Sequence, residues 1–236
     1  MKIAAEQINI NCPESEVYNR LLVLDNKHIL ELGCGSAEIT RNIATAGVGR
    51  KITAYEVDTI AYNKNLQITD LPNVTFGAGG AQAIPQDDAS VDVVLMFKSL
   101  HHVPIELMDQ SLREIRRVLK PGGLAYISEP IFAGDFNEIL RLFHDEQKVR
   151  LAAFAAVKKA VDDGLLMLAD EVFFNTPMRF ENFSDFETKI LNVTHTNHAL
   201  DEDLYQQVRQ RFESHVGEDG VNFLMPIRVN LLQCPS

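Results

Sequence analysis

The run VDVVLMF at residues 91–97 constrains this sequence most. Apart from Asp92 it is apolar on both of its alternating faces, so neither face can rest in water. A strand of that kind belongs in the middle of a parallel sheet with helices packed on each side. Its neighbours agree. HILELG (28–33), KITAYEVD (51–58) and NVTFGAG (73–79) are short strand-like runs, separated by helix-like segments from about Ala37 and over 60–67. This alternation marks a doubly wound α/β architecture. LMDQSLREIRRVLK carries a helical stripe at Leu107, Leu112, Ile115 and Leu119. Pro121-Gly122-Gly123 is expected to stop that helix, and LAYISEPIF (124–132) becomes the fifth strand.

The pattern changes after Phe132. Asp135 and Glu138 form a D-x-x-E capping signal for a helix through about Phe143. Residues 147–174 are alanine-rich with a single glycine, Gly164, and read most simply as a helical pair. FETKILNVTHT (186–196) is a helix entering a strand or mostly strand; periodicity does not decide. Residues 202–216 look helical, and 222–234 form a final strand whose Pro226 points to an edge or irregular position.

Charge narrows the function. The formal net charge is −11, with 12 basic and 16 acidic side chains in residues 1–130 and 10 and 17 in 131–236. Neither half is a basic nucleic-acid module. Arg113, Arg116, Arg117 and Lys120 are the one basic cluster, at the spacing of a wet helix face. Cys12, Cys34 and Cys234 form no CxxC pair, which suggests reduced thiols. The first residues do not read as a signal peptide and no apolar run approaches a membrane span, so a cytoplasmic protein is expected.

In a doubly wound sheet, ligands sit outside the carboxyl ends of the strands. The residues there are Glu31, Gly33, Cys34 and Gly35 after the first run and Glu56, Val57 and Asp58 after the second. Gly79, Gly80 and Ala81 follow the third, Phe97, Lys98, His101 and His102 the fourth, and Glu129 and Pro130 the fifth. Glycine allows close approach of a ligand to the backbone, and a strand-end carboxylate can accept two hydrogen bonds from a ribose diol. A dinucleotide fingerprint would place a third glycine at position 38, where this chain has Glu38. A pyrophosphate at that helix N-terminus would be repelled. S-adenosylmethionine has ribose and adenine but no phosphate, and its sulfonium and ammonium groups favour nearby carboxylates. No GK[ST] follows, so the P-loop alternative fails.

Residues 28–130 also resemble class I S-adenosylmethionine-dependent methyltransferases, of the type 11 small-molecule group. ILELGCGSAEIT resembles that family's first motif, and AYEVD its ribose-binding strand end. GAGGAQAIPQDDASVDVVLMFKSLHHV resembles the stretch from the adenine contact to the fourth strand, and LREIRRVLKPGGLAYISEP the following helix, turn and strand. The resemblance implies a doubly wound, mostly parallel seven-stranded sheet with a helical cap inserted after the fifth strand. On that plan residues 1–130 are the Rossmann-like cofactor-binding core, 131–178 the cap, and 179–236 the closing strands and helix of the core. It implies that Glu31, Gly33, Cys34, Gly35, Glu56, Val57, Gly80, Ala81 and Phe97 hold the cofactor, Cys34 through its backbone. The implied reaction is in-line transfer of a methyl group to O, N or C of a small molecule. RNA or protein acceptors, and a cofactor-binding relative without transferase activity, are the alternatives. One departure stands out: Gly80 occupies the place of an aspartate that in the family binds the adenine amino group. Gln82, Asp87, Asp88 or the backbone at Gly80 and Ala81 are the available substitutes.

Several residues carry two readings. Asp58 is expected to cap a helix. Glu31 either orders the glycine loop or faces the methionine ammonium. His101 and His102 either act as a general base or shape the pocket, and Glu129 either orients a substrate donor or is a structural strand-end acid. Lys98 either binds an anionic substrate or is solvated, and is read as solvated. His195 and His198 lack further ligands at suitable spacing, so no metal is expected. Residues 131–178 are expected to form a lid, with Phe132, Phe136, Leu140, Phe143 and Phe154 lining it or packing on the core. The protein is expected to be a monomer or homodimer without nucleic-acid or membrane partners.

Overall fold

A computed structural model describes residues 1–192 and 200–236 of the chain. Its strands are β1 (His28–Leu32), β2 (Lys51–Glu56), β3 (Val74–Ala78), β4 (Val91–Phe97), β5 (Leu119–Pro130), β6 (Met167–Phe180) and β7 (Val221–Gln233). The helices are α1 (Glu14–Leu21), α2 (Glu38–Thr45), α3 (Thr59–Asn65), α4 (Ile105–Val118), α5 (Asp135–Leu140), α6 (Gln147–Asp162), α7 (Phe183–Phe186) and α8 (Glu202–Glu213). All seven strands join one sheet in the order β3-β2-β1-β4-β5-β7-β6. The five from β3 to β5 are parallel, and β7 runs antiparallel between β5 and β6. The chain order reverses between β1 and β4, which makes their carboxyl ends the natural ligand crevice.

Alternation along β1 and β4 sorts side chains onto the two faces. Leu30, Leu32, Val94 and Met96 pack with Met108, Leu112 and Ile115 of α4 and with Ala153, Ala156 and Val157 of α6. Ile29, Val93, Leu95 and Phe97 pack on the other side with Val17 and Tyr18 of α1 and Ile43 of α2. Each buried Leu, Ile or Phe contributes roughly 1.5–3 kcal/mol relative to exposure. A third cluster of Phe136, Phe180, Phe183, Phe186, Phe212 and Phe223 fastens α5, α7 and α8 to the far ends of β6 and β7.

The sequence reading needs correction at several points. Pro121-Gly122-Gly123 does not end α4, which stops at Val118; it lies inside β5. The register jumps from Val91↔Leu119 to Val93↔Leu124, so the motif forms a bulge, with Gly122 at φ +76°. The capping signal at 135 is not realised, because Gly134 precedes the helix and no side chain caps it. Only 147–162 of the alanine-rich stretch is helical, and from Met167 the chain is edge strand paired with β7. The expected helical cap over 131–178 is therefore two helices followed by sheet. Pro226 lies in an interior strand rather than an edge. It is tolerated because β5 pairing ends at Pro130↔Ile227, where only the Pro226 carbonyl is used, by Ile131 N–H. Of 186–196, Phe186 ends α7, Glu187–Leu191 forms a wide helical turn, and 193–196 lie outside the described residues. Among the described residues no helix is long and apolar enough to cross a membrane.

Candidate cofactor cleft and its histidine rim

A cleft of about 1160 Å³ opens at the carboxyl ends of β1, β2, β3 and β4. Gly33, Gly35, Glu56, Val57, Gly80, Ala81 and Phe97 line it, as does His102. Of the other expected site residues, Glu31, Cys34 and His101 are buried beside it without lining it. Glu38 is exposed in the first turn of α2 and is also absent from the lining, so the carboxylates at the loop are Glu31 and Glu56.

The two loop glycines have different reasons to be glycine. Gly33, at φ +78°, would place a Cβ 2.7 Å from the Ser99 Cβ, so it serves close packing with the end of β4. Gly35, at φ +53°, would place a Cβ in open space. The loop is held from outside itself. Asn65 of α3, 1% exposed, donates to the Gly35 carbonyl at 2.8 Å and to the Cys34 sulfur at 3.5 Å. Burial pushes the Cys34 thiol up, so it stays protonated. Ser99 Oγ donates to the Leu32 carbonyl at 2.8 Å. Asn65 belongs to no quoted motif and Ser99 lies inside one without being singled out; only the fold brings them to the loop.

Glu56 ends β2 and accepts three backbone hydrogen bonds, from Gly35 N–H at 2.6 Å and from Val57 and Asp58 N–H at 2.8 Å each. Asp58 accepts from Ile60 N–H at 2.9 Å as the expected cap of α3, and it also lines the cleft. Glu31 is 2% exposed and accepts from Thr40 Oγ1 at 2.6 Å. Burial lifts its carboxyl from 4.5 to about 7; the Thr40 bond opposes the rise and Glu56 adds to it.

At the end of β3, a Cβ on Gly80 would fall 2.3 Å from Gln82 Oε1. The Gln82 amide thus occupies the space that a side chain at 80 would take, and Gln82 lines the cleft. Asp87 and Asp88 do not line it; both are exposed, and Asp88 is paired with Arg117. Of the three side-chain substitutes for the missing aspartate, Gln82 alone is in place.

Beyond β4, Lys98 lines the cleft at φ +54° and is ion-paired with buried Glu14 of α1 at 2.5 Å, so it is not simply solvated. His101 and His102 separate. His102 is exposed on the cleft. His101 is 4% exposed, with Nδ1 2.5 Å from Glu129 Oε2 and Nε2 3.5 Å from Glu146 Oε1. Burial works against a charged imidazole, but Glu129 and Glu146 outweigh it and hold His101 at about 9. It is therefore no base toward the cleft. Glu129 also accepts from Leu100 N–H at 2.9 Å, which makes it a structural acid turned inward. Phe132, Phe136, Leu140, Phe143 and Phe154 do not line the cleft. Phe136, Leu140 and Phe143 join the aromatic cluster, Phe132 lies under Arg141 and Arg150, and Phe154 under Arg228. Of the expected lid lining, Phe136, Leu140 and Phe143 are core packing, and Phe132 and Phe154 are half-buried against arginines. Sequence reasoning missed Glu146, which only the turn before α6 brings to His101 and His102. His195 and His198 lie outside the described residues.

Residues 29–123 match the family model described as "Methyltransferase domain". The sterol 4-C-methyltransferase strm-1 of Caenorhabditis elegans is 30% identical over 131 residues, covering 52% of this chain and 36% of that protein. The demethylmenaquinone methyltransferase of Chlorobaculum tepidum is 35% identical over 107 residues, covering 44% and 40%. The chain thus spans less than half the length of these curated relatives. Two solved structures share its fold. The YcgJ protein of Bacillus subtilis superposes at TM-score 0.67, 14% identical, over 94% of this chain and 97% of its own. A putative methyltransferase from Bacillus halodurans does so at 0.65, 15% identical, over 94% and 98%. Sequence match and sheet topology point the same way: residues 29–123 are similar to a methyltransferase domain, and the sheet shares the fold of these two solved structures.

Proposed function

We propose that this chain binds S-adenosylmethionine in the β1–β4 cleft and transfers its methyl group to a small-molecule acceptor. The observation that carries the reading is the pairing of Glu56 with the Gly33–Gly35 loop. A buried strand-end carboxylate is held rigid by three backbone N–H groups while its residue still lines the cleft. Those bonds leave acceptor capacity on Glu56 for a ribose diol. Gly35 offers a face that no Cβ obstructs, and Glu31 lies behind the loop where an ammonium charge would be favoured. Gly80, Ala81 and Gln82 border the adenine end, with the Gln82 amide in the role of the missing carboxylate.

The bound cofactor supplies a methyl group already activated by a positively charged sulfur. The protein therefore contributes mainly position and exclusion of water. Phe97, Lys98 and His102 border the acceptor side, at the end of β4. His102 is the histidine that reaches it, His101 being held between two carboxylates. A net charge of −11 favours a small molecule over RNA. The names of the sterol and demethylmenaquinone relatives support an acceptor of that size class.

Calorimetry with S-adenosylhomocysteine tests the cofactor reading. Glu56→Ala should weaken binding by at least about a hundredfold, as expected for two hydrogen bonds to a charged group. Unchanged affinity in a folded variant would sink the assignment. Transfer of labelled methyl to metabolite fractions, absent without the protein, tests the reaction itself.

A further inference from the structure

The groups behind His102 form a second constellation that methyl transfer does not require. The donor atoms of His101, His102 and Glu146 all lie within 4.8 Å of one another. They come from two separate elements: the short turn Leu100–His102 after β4, and the residue just before α6. The two histidine rings stand 4.1 Å apart between centroids.

Each inner donor is oriented by a partner on its far side. His101 gives Nδ1 to Glu129 at 2.5 Å, which turns Nε2 toward Glu146. Glu146 Oε2 accepts from Arg150 Nη2 at 2.5 Å and from its Nε at 3.1 Å, which turns Oε1 toward the histidines. Arg150 is fixed in turn by Asn137 Oδ1 at 3.0 Å. His144 Nε2 stands 3.0 Å from the same Oε1. An imidazole backed by a carboxylate, facing a carboxylate backed by a guanidinium, is the outer-shell support that metal ligands use.

We propose that His101 Nε2, His102 and Glu146 Oε1 form a binding site for a divalent transition-metal ion of the zinc class, beside the cofactor cleft. Two imidazoles and one carboxylate make the donor set of catalytic zinc sites that keep an open position. Nitrogen donors disfavour magnesium and calcium, which take oxygen. Bonds of about 2.0–2.2 Å at tetrahedral angles put ligand atoms about 3.3 Å apart. The His101–Glu146 separation of 3.5 Å already meets that spacing. His102 is exposed and closes the remainder by rotating its side chain. On entry the ion replaces the proton on His101 Nε2, which leaves to solvent. Because His102 also lines the cleft, an open coordination position would lie next to the acceptor side, suited to an acceptor oxygen.

The site does not depend on the cofactor reading, and its test uses no methyl transfer. Metal-stripped protein is titrated with cobalt(II) near neutral pH, followed by visible absorption, and then with zinc. The expected result is a ligand-field band that saturates at one equivalent and is displaced by zinc. Glu146→Gln and His102→Ala should each abolish it while circular dichroism stays that of the wild type. His102 is on the surface, so at least that variant keeps its fold. Folded wild-type protein that gives no saturable band overturns the proposal. A band surviving both substitutions overturns it too, because the ion then sits elsewhere.

Discussion

Glu31 is 2% exposed at the end of β1, and its carboxyl is lifted from 4.5 to about 7, chiefly by burial. That difference corresponds to about 3 kcal/mol against the ionised form. A cationic ligand placed behind the glycine loop reverses the preference, because an adjacent positive charge favours the carboxylate. Cofactor binding should therefore expel a proton from Glu31 between about pH 4.5 and pH 7. If the bound carboxyl returns to its ordinary value, affinity for S-adenosylhomocysteine should fall roughly twentyfold between about pH 7.5 and pH 5.5. Calorimetry in two buffers of different ionisation heat should count nearly one proton released near pH 6 and far fewer near pH 8. Glu31→Gln should bind with little pH dependence over this window. A flat wild-type profile, or an equal slope in Glu31→Gln, refutes the reasoning. The same group sets a stability trend. Its folded pKa is raised above the unfolded one, so the folded state holds the proton more tightly and stability falls as pH rises from 4.5 to about 7. Glu31→Gln should remove that part of the decline in thermal melts.

Two further outcomes follow from the cleft geometry. Gly33→Ala adds a Cβ 2.7 Å from Ser99 Cβ at a positive φ and should cost more than about 2 kcal/mol of stability, whereas Gly35→Ala has open space and should cost about 1 kcal/mol in denaturant melts; equal costs would contradict the packing role given to Gly33. Gln82→Ala should weaken S-adenosylhomocysteine binding about five- to tenfold, the loss of one hydrogen bond, and unchanged binding would return the adenine contact to the backbone.

The sheet was legible where sequence and environment agree locally. VDVVLMF reads as a central strand and is one, with six of its seven residues buried. Gly33, Gly35 and Glu56 were legible because each follows an apolar run that fixes where the chain emerges. What misled was chemistry that looks the same in two settings. Pro121-Gly122-Gly123 breaks a helix in isolation, yet here it is absorbed as a bulge between β4 and the closing strand. Met167 to Phe174 continues an alanine-rich helix without a proline, and pairing with β7 overrides its local preference. The five residues expected to line a lid have helical spacing that suits a core equally well. Glu146 and Asn65 carried no signal at all, and Gln82 was one of three side chains offered for the adenine contact; their roles arise from what the fold places opposite them.

Five glutamates, 14, 31, 56, 129 and 146, are buried among the described residues. All five stand near the carboxyl edge of the sheet, and the way each negative charge is met separates framework from binding site. Glu14 has Lys98 at 2.5 Å. Glu129 has His101, and Glu146 has His101 and Arg150. Both of these carboxyls are held below the ordinary range by those partners despite burial. Glu56 has three backbone N–H groups. Glu31 has one hydroxyl, from Thr40, and the influence of Lys98 does not bring it back to an ordinary acid. A buried carboxylate without a matching charge costs several kcal/mol and is otherwise replaced or neutralised. Its position behind the Gly33–Gly35 loop makes sense if the matching charge arrives with the ligand. Of the buried glutamates at this edge, Glu31 is the one met neither by a paired cation nor by a set of backbone N–H groups. A sulfonium- and ammonium-bearing cofactor would supply the missing charge, whereas a pyrophosphate would deepen the deficit.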